Sequence, residues 1–489
     1  MPMAIENPIL QTLRDYLSGT EYENRVFLVG GFVRDKLMGR ESSAAIAQTF
    51  GLTARLDDID LVLEGDASAL AHLLWKRGAS WHKPVEFPTF GTAMVRVGGT
   101  GADNPGTQVE IVTAREETYR SGSRKPTVTP GTLQTDALRR DFTVNTFLEN
   151  LHTGEITDPT GKGYADLNAG LLRTPLDPVI TFTDDPLRML RAARFAAKLG
   201  FIIETATLSA IHANAFRLSP EHGISYERIR DELVKTLPAK NAAQGLEIMR
   251  ETGLLAQFAP ELAALHGVPH GDFPFHDAWT YTLVALSNLP PEADTGVRFA
   301  VLFQNVGKSK TRTVDPGTGG VHFYEHEKVG AEITRTVLAR LKFSSDEIAR
   351  VVALVRLQEC YSAYNPDGWT DAIVRRLIHA VGEHRNDLFT IARANITASN
   401  VTGYPTTGID GLQERMEAIE NSVHVTTATS PLSGEEIMTR LSLPAGRLVG
   451  TIKNALTDAV VVGELAQDDK HGAEAMAKQM IPNADSPSL

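Results

Sequence analysis

The stretch Leu28-Val-Gly-Gly-Phe-Val-Arg-Asp35 joins a short β-prone run to a helical pattern through two glycines. Glycine lets the backbone come close to a ligand, and the first residues of a helix offer free N–H groups to phosphate. A tight strand-to-helix turn without a ligand would show the same pattern, so the stretch alone leaves both interpretations open. It predicts a strand, a turn and a helix, with Gly30, Gly31, Arg34 and Asp35 as candidate ligand-binding residues.

A second strand-like stretch, Asp57-Asp-Ile-Asp-Leu-Val-Leu63, carries closely spaced carboxylates. Alternate side chains of a strand share a face, so Asp58 and Asp60 point the same way. Two such carboxylates repel each other unless a cation lies between them, and Mg²⁺ prefers oxygen ligands together with substrate phosphates. We therefore predict Asp58 and Asp60 as catalytic metal ligands. Glu110, in a predicted strand over Val109–Val112, is either a third catalytic carboxylate or a charge on the solvent face.

Further segments follow in a fixed order before residue 235. They are Leu138-Arg-Arg-Asp-Phe-Thr-Val-Asn145, Asp158–Thr174, Phe182–Phe195 and Tyr226–Glu232. Together with the glycine turn and Asp58-x-Asp60, they resemble the motifs of class II tRNA nucleotidyltransferases, the CCA-adding enzymes. These share a polymerase-β-type head with bacterial poly(A) polymerases. The resemblance implies template-independent addition of CCA to the 3′ end of tRNA from CTP and ATP, by two-metal (Mg²⁺) nucleotidyl transfer that releases pyrophosphate.

Two of these segments carry side chains that suit a nucleoside triphosphate. Arg140 can hold phosphate oxygens with two parallel N–H bonds. Asp141 can accept from a ribose hydroxyl, which is the role that the resemblance implies. Asp185 and Arg188 are predicted to lie on one helix, where side chains three residues apart are neighbours. Cytosine and adenine each offer an amine donor beside a ring-nitrogen acceptor, so this pair can select them, whereas uracil and guanine reverse the pattern.

Taken singly, each of these residues has a simpler interpretation. Arg140 could form a surface ion pair, Asp141 could cap a helix, and Asp185 and Arg188 could form an exposed salt bridge. The ordered segments favour the nucleotide site, although Asp184 stands where the family usually has glutamate. The predicted nucleotide-binding set is Gly30, Gly31, Arg34, Asp35, Arg140, Asp141, Asn145, Asp184, Asp185, Arg188, Arg191 and Arg194.

A partly basic, glycine- and proline-containing segment, Arg115–Gln134, is predicted to form a flexible loop. In the resembled family a loop at this place is needed for adding the final A, and enzymes restricted to CC lack or shorten it. Its presence favours addition of the complete CCA.

A later part of the chain resembles an HD phosphohydrolase domain that has lost its metal ligands. Leu302–Lys308 and His322–Gly330 match two segments of that family, but Gln304 and Asn305 replace its His-Asp pair and Tyr281 replaces its first histidine. Neutral amides are poor ligands for a catalytic transition metal. We predict a helical scaffold without phosphohydrolase activity.

The predicted fold is α+β, with a small mixed sheet in a polymerase-β-like head and an all-helical neck, body and tail. The predicted domains are a nucleotidyltransferase head at 1–170, a base-reading helical neck at 171–265, a degenerate HD-like body at 266–370, a helical RNA-binding tail at 371–466 and a disordered C-terminus at 467–489.

Composition limits the class of protein. Sixty acidic against 48 basic residues give a net charge of −12, which argues against non-specific coating of nucleic acid. It also weakens the alternative of a poly(A) polymerase more than that of a tRNA enzyme, because a tRNA end needs only a local basic groove. An HD phosphohydrolase or a non-catalytic RNA-binding protein is the alternative from another class.

With one cysteine, no apolar run of about 18 residues and no leader pattern, we expect a cytoplasmic protein without a membrane span. No protein partner is implied.

Overall fold

The computed structural model describes residues 7–39, 59–99, 106–118, 127–270, 273–362, 364–399, 407–422 and 429–481. The chain divides into two compact units, Met1–Phe258 and Ala259–Leu489. The finer domain boundaries expected from the sequence remain predictions. Among the helices of the described ranges, none is both long enough and apolar enough for a membrane crossing.

The first unit is built on a mixed sheet, which confirms the predicted class of head. Its strand order is β3-β4-β5-β2-β1-β8-β9; β2 and β5 pair in parallel, and the other neighbours are antiparallel. The strands are β1 (Val26–Val29), β2 (Ile59–Leu63), β3 (Val85–Phe87), β4 (Thr92–Val97), β5 (Thr107–Thr113), β8 (Leu148–Asn150) and β9 (Ile156–Thr157).

One face of this sheet is apolar and covered by helices. Ile59 and Leu61 of β2 and Val109 and Ile111 of β5 are buried in one core with side chains of α1 (Pro8–Leu17) and of the helix Ala67–Lys76. Because side chains alternate along a strand, the residues between them point to the opposite face. This alternation places polar residues of β2 and β5 on the face that the two helices do not cover.

Ten α-helices follow α1 in the described residues of the first unit. They are α2 (Gly31–Leu37), α3 (Ala67–Lys76), α4 (Leu133–Leu138), α5 (Gly163–Ala169), α6 (Pro178–Asp184), α7 (Leu187–Leu199), α8 (Thr205–Asn214), α9 (Tyr226–Thr236), α10 (Ala242–Glu251) and α11 (Leu254–Phe258). α7 packs against α9 and α10. Two short strands, β10 (Leu171–Leu172) and β11 (Ile202–Ile203), pair in parallel.

The predicted loop Arg115–Gln134 is not a loop at its described ends. β6 (Arg115–Thr118) and β7 (Thr127–Pro130) pair as an antiparallel hairpin, and α4 follows directly. Residues 119–126, which include three of the basic residues, lie outside the described residues. Backbone pairing of the two arms therefore replaces a flexible loop over part of the segment.

The second unit is largely helical. Its helices are α12 (Pro260–Ala263), α13 (Ala278–Ser287), α14 (Thr295–Phe303), α15 (Lys308–Thr311), α16 (His326–Arg340), α17 (Ser345–Leu357), α18 (Asp371–Val381), α19 (Arg385–Ala398), α20 (Thr407–Ser422), α21 (Gly434–Leu441), α22 (Arg447–Val462) and α23 (Lys470–Gln479). Two small hairpins interrupt them: β12 (Pro269–His270) with β13 (Phe273–Asp277), and β14 (Arg312–Val314) with β15 (Val321–Phe323).

The neck, body and tail are largely helical, as predicted, and short strand pairs interrupt the neck and the body. One expectation about the end of the chain is wrong. The segment 467–489 is not disordered throughout, because α23 forms within it and Ala473 and Ala477 are buried against α21 and α22. Asp469 caps this helix by accepting from the Gly472 N–H at 2.8 Å. Residues 482–489 lie outside the described part.

Candidate active site

Two of the three predicted catalytic carboxylates can be placed, and they lie side by side. Asp60 of β2 is the direct register partner of Glu110 of β5 in the parallel pair. Both are half-buried and lie on the sheet face opposite the helix-covered core. Asp58 lies outside the described residues. Neighbouring carboxylates on one face fit a divalent cation, since Mg²⁺ is held by oxygen ligands.

The turn formed by Gly30 and Gly31 lies close to the carboxylate of Asp60. Gly30 follows β1 with φ +79° and directly precedes α2, which begins at Gly31. A Cβ added to Gly30 would lie 3.4 Å from Asp60 Oδ2 and 4.0 Å from Arg140 Nη1. A positive φ and this close approach both favour glycine. The turn therefore leaves space between a carboxylate and a guanidinium, where phosphate oxygens could lie.

Asp136 holds Arg140 in place. Arg140 donates to Asp136 Oδ2 from Nε at 3.2 Å and from Nη2 at 3.0 Å, and Arg139 donates to Oδ1 of the same carboxylate. Burial opposes ionisation of Asp136, but Arg140 and Arg139 outweigh it and lower its pKa. Asp136 was not predicted as a site residue, although its spacing of three and four residues from the two arginines was an available signal.

Asp141 is the centre of a buried network. Its Oδ1 accepts from the Phe142 N–H and from Asn145 Nδ2, both at 2.9 Å. Its Oδ2 accepts from Arg191 Nε at 2.8 Å and Nη2 at 2.5 Å. Both oxygens thus already have protein donors, and the side chain has a structural role besides the ribose contact, which remains a prediction.

The network extends to α2 on one side and to α9 on the other. Arg34 is 1% exposed; it donates to Asn145 Oδ1 at 2.6 Å and to Asp35 Oδ1 at 2.8 and 2.7 Å. On α7, Arg194 Nε donates to Glu232 Oε2 at 2.6 Å. These contacts connect the glycine turn, the Asp141 segment and two helices, and they show Arg34 and Arg194 engaged with protein carboxylates.

Acid is expected to weaken this network through Asp141. Burial opposes ionisation of Asp141, but Arg191 and the Asn145 hydrogen bond outweigh it and lower the pKa from 3.8 to about 2. Because the folded pKa is depressed, the contribution to stability is complete above pH 4 and is lost as the pH falls towards 2. It amounts to about 2 kcal/mol. We expect the stability advantage of wild type over Asp141→Asn to shrink by about 1 kcal/mol between pH 6 and 3.

Hydrogen exchange in peptides of the first unit measures this advantage as a free energy of opening. Between pH 6 and 8 Asp141 is ionised in both the folded and the unfolded state, so the advantage should stay constant there. If the stability advantage of wild type over Asp141→Asn also stays constant down to pH 3, the stabilising contribution assigned to ionised Asp141 is wrong.

Asp185 and Arg188 lie at a junction between helices, so the prediction that both lie on one helix is wrong. α6 ends at Asp184, Asp185 is extended with φ −143° and ψ 101°, and α7 begins at Leu187. The cause is Pro186, since the residue before a proline is disfavoured in the helical region. The Arg188 N–H still bonds to the Asp185 carbonyl oxygen at 3.0 Å, so the two residues remain neighbours.

Separate contacts hold the two side chains. Asp185 Oδ1 accepts from the Leu187 N–H at 3.1 Å and Oδ2 from Arg228 Nη2 at 2.8 Å, while Arg188 Nη1 donates to the Thr181 carbonyl at 3.3 Å. Within the described ranges, the other guanidinium nitrogens of Arg188 have no protein acceptor. Arg188 therefore keeps donors for a ligand. The contact between Arg228 and Asp185 was not predicted; the only signal was the place of Arg228 in one of the ordered segments.

Comparison with known proteins agrees with this geometry. A poly(A) polymerase head domain model matches residues 26–173, and a model for a probable RNA and SrmB-binding site of polymerase A matches residues 200–265. The A-adding tRNA nucleotidyltransferase of Deinococcus radiodurans is 34% identical over 344 residues, which cover 69% of this chain and 77% of that protein. The chain belongs to the tRNA nucleotidyltransferase family. The CC-adding tRNA nucleotidyltransferase of Thermus thermophilus is 33% identical over 362 residues, covering 71% of this chain and 79% of that protein.

The fold of this tRNA nucleotidyltransferase is also similar to that of a solved relative. The crystal structure of the Bacillus stearothermophilus CCA-adding enzyme in complex with CTP matches with a TM-score of 0.64 at 22% identity, over 97% of this chain and 98% of that one.

In the second unit, the two amides predicted to stand in place of an HD pair are part of the packing. Gln304 and Asn305 are 1% and 3% exposed. Asn305 Nδ2 donates to Thr282 Oγ1 at 3.0 Å, and Gln304 Oε1 accepts from Asn395 Nδ2 at 2.9 Å. These amides join neighbouring helices, as expected for a scaffold.

Proposed function

We propose that this protein adds CCA to the 3′ end of tRNA from CTP and ATP, without a nucleic-acid template. The observation that carries the proposal is that Glu110 lies beside Asp60 on one face of the sheet, while Gly30 lies close to both Asp60 and Arg140. Membership of the tRNA nucleotidyltransferase family and the names of several relatives as multifunctional CCA proteins support it.

The proposed reaction is an in-line displacement. The oxygen of the terminal tRNA hydroxyl forms a bond to the α-phosphorus of the nucleotide, the bond from this phosphorus to the bridging oxygen breaks, and pyrophosphate leaves. Asp60, Glu110 and Asp58 fit a pair of Mg²⁺ ions, which when bound would favour deprotonation of the hydroxyl and stabilise the charge of the leaving group. Arg140, oriented by Asp136, would bind the triphosphate, and Gly30 would let it approach the backbone.

The base would be selected by Asp185 and Arg188. The carboxylate can accept from the exocyclic amine of cytosine or adenine, and the unpaired donors of Arg188 can reach the neighbouring ring nitrogen. Arg228 restricts the position of the carboxylate through its contact with Oδ2. The charge of Arg188 also helps to lower the pKa of Asp141, which places Arg188 near the Asp141 network.

Addition of all three nucleotides is favoured over partial addition. Relatives that add only A or only CC occur among the similar proteins. The segment Arg115–Gln134 lies where the resembled family has a loop needed for adding the final A, and its described arms form the β6–β7 hairpin.

An incorporation assay tests the proposal. Purified protein with Mg²⁺, CTP and ATP is expected to extend a tRNA lacking its last three nucleotides by C, C and A and then to stop, as read by sequencing of the product. Transcripts ending in C and CC serve as matched substrates and should each receive only the missing nucleotides. Addition of CC without A to the transcript lacking all three nucleotides would refute complete addition, and so would extension of the CC transcript by A with no extension of the other two transcripts. Long A tails on arbitrary RNA would instead identify a poly(A) polymerase.

A further inference from the structure

The second unit contains a cluster of ionisable side chains that the proposed reaction does not use. His326 and Glu327 begin α16, and Glu359 follows α17. One ligand atom from each of the three lies within 4.8 Å of the others. Donor atoms bound to one transition-metal ion lie up to about 4.2 Å apart, twice a bond of about 2.1 Å. Glu359 Oε1 lies 3.3 Å from Nε2 of His326, whereas Glu327 Oε2 lies 3.9 Å from Nδ1, so the Glu327 side chain has to turn towards Nε2 before the three can share an ion.

The hydrogen bonding of His326 indicates which ring nitrogen is available. Its Nδ1 lies 3.1 Å from the Phe323 carbonyl oxygen. A carbonyl oxygen only accepts, so Nδ1 carries a proton and, in the neutral ring, the lone pair is on Nε2. Donation of one ring N–H to a backbone carbonyl while the other nitrogen binds is the usual arrangement of a metal-ligating histidine.

Nε2 of His326 is buried and unsatisfied. The residue is 4% exposed, and Nε2 makes no hydrogen bond, although Glu359 Oε1 lies 3.3 Å away. A lone pair facing a carboxylate oxygen at this distance is unfavourable unless a cation lies between them. The cation is either a proton on His326, which would form an ion pair with Glu359, or a metal ion.

The donor set favours a metal ion of a particular class. One imidazole and two carboxylates suit zinc, manganese, cobalt or nickel better than calcium or magnesium, which prefer oxygen alone. The side chains of Glu327 and Glu359 are 23% and 52% exposed, so an ion can reach them from solvent. The nearby charge of Lys308, whose pKa burial lowers to about 8, offsets only part of the negative charge.

We propose that His326, Glu327 and Glu359 bind one divalent transition-metal ion. The ion would connect the start of α16 to the residues that follow α17. The site shares His326 with the segment that resembles the HD phosphohydrolases, but it differs from their site in its other two ligands, Glu327 and Glu359, and it implies no hydrolysis.

Zinc binding to the full-length protein tests the site. After removal of metals, equilibrium dialysis against Zn²⁺ in excess Mg²⁺ should show one more equivalent in the wild type than in Glu359→Gln or His326→Ala. The affinity at this site should fall at least tenfold in both variants. Glu359→Gln is the safer variant because its side chain is half exposed. His322→Ala, an exposed histidine of the same segment, is the matched control and should bind like the wild type.

Thermal unfolding gives a second measurement. Zn²⁺ should raise the Tm of wild type and of His322→Ala more than that of Glu359→Gln, because a ligand stabilises the state that binds it. Equal zinc stoichiometry in wild type and Glu359→Gln, or equal loss in His322→Ala, would overturn the proposal. The first result would show that His326 and Glu359 form only a proton-mediated ion pair.

Discussion

Asp60→Asn is expected to reduce nucleotide incorporation at least about a thousandfold, or about 4 kcal/mol in transition-state stabilisation, while tRNA binding changes little. Asp60 is the register partner of Glu110 and faces the Gly30 turn and Arg140. An amide of the same size keeps the packing but removes the negative charge that would hold Mg²⁺. The loss should therefore be in kcat of single-nucleotide addition, measured with CTP at saturating tRNA.

The matched control is Glu86→Gln on the edge strand β3 of the same sheet, where Glu86 pairs with His72 at 2.9 Å. It should retain activity within about twofold, because surface ion pairs contribute little. Asp60→Asn retaining more than a tenth of wild-type kcat would refute the metal assignment. Glu110→Gln decides the alternative left open for that residue: a loss similar to that of Asp60→Asn would make it a third catalytic carboxylate, and near-normal kcat a solvent-face charge.

Local periodicity predicted the elements that carry the carboxylates, but it could not predict which residues meet. The alternation along β2 shows that Asp60 lies opposite the core-facing Ile59 and Leu61. That Glu110 is its direct neighbour depends on the parallel register of β2 and β5, and β3 and β4 intervene between them in the chain. Register over such a separation is decided by packing and hydrogen bonding across the whole sheet.

The same limit applies to charged side chains. Arg191 and Arg194 were predicted as nucleotide-binding residues. Their partners, Asp141 and Glu232, lie 50 and 38 residues away in the chain, so the sequence alone could not pair them. The break between Asp185 and Arg188 was predictable, because Pro186 disfavours a helical conformation in the residue before it.

Composition misled the prediction at the C-terminus. The segment after Gln467 is polar and rich in small residues, which is typical of disorder. Yet Asp469 caps α23, and the small side chains Ala473 and Ala477 fit into the cluster formed with α21 and α22. Small residues on one helix face can pack closely even where mean hydropathy is low.

Arg188→Ala is expected to lower the preference for CTP over UTP at least about a hundredfold. A site that hydrogen-bonds its substrate rejects an analogue that lacks the matching group by several orders of magnitude. Arg188 can donate to N3 of cytosine, whereas N3 of uracil carries a proton that would face the guanidinium. Alanine removes both the attraction to cytosine and the repulsion of uracil. Incorporation of CTP should therefore fall, and the ratio of UTP to CTP incorporation should rise. The measurement is kcat/KM for each nucleotide on a tRNA lacking CCA.

The control is Lys198→Ala, an exposed cation at the other end of α7, which should leave the ratio of kcat/KM for CTP and UTP unchanged. A general loss of charge near the tRNA would lower both rates together and weaken their dependence on salt, whereas loss of base reading changes their ratio at any salt concentration. If Arg188→Ala slows both nucleotides equally, its donors contact phosphate or the protein rather than the base. That result would refute base selection by Asp185 and Arg188 while leaving the metal assignment of Asp60 intact.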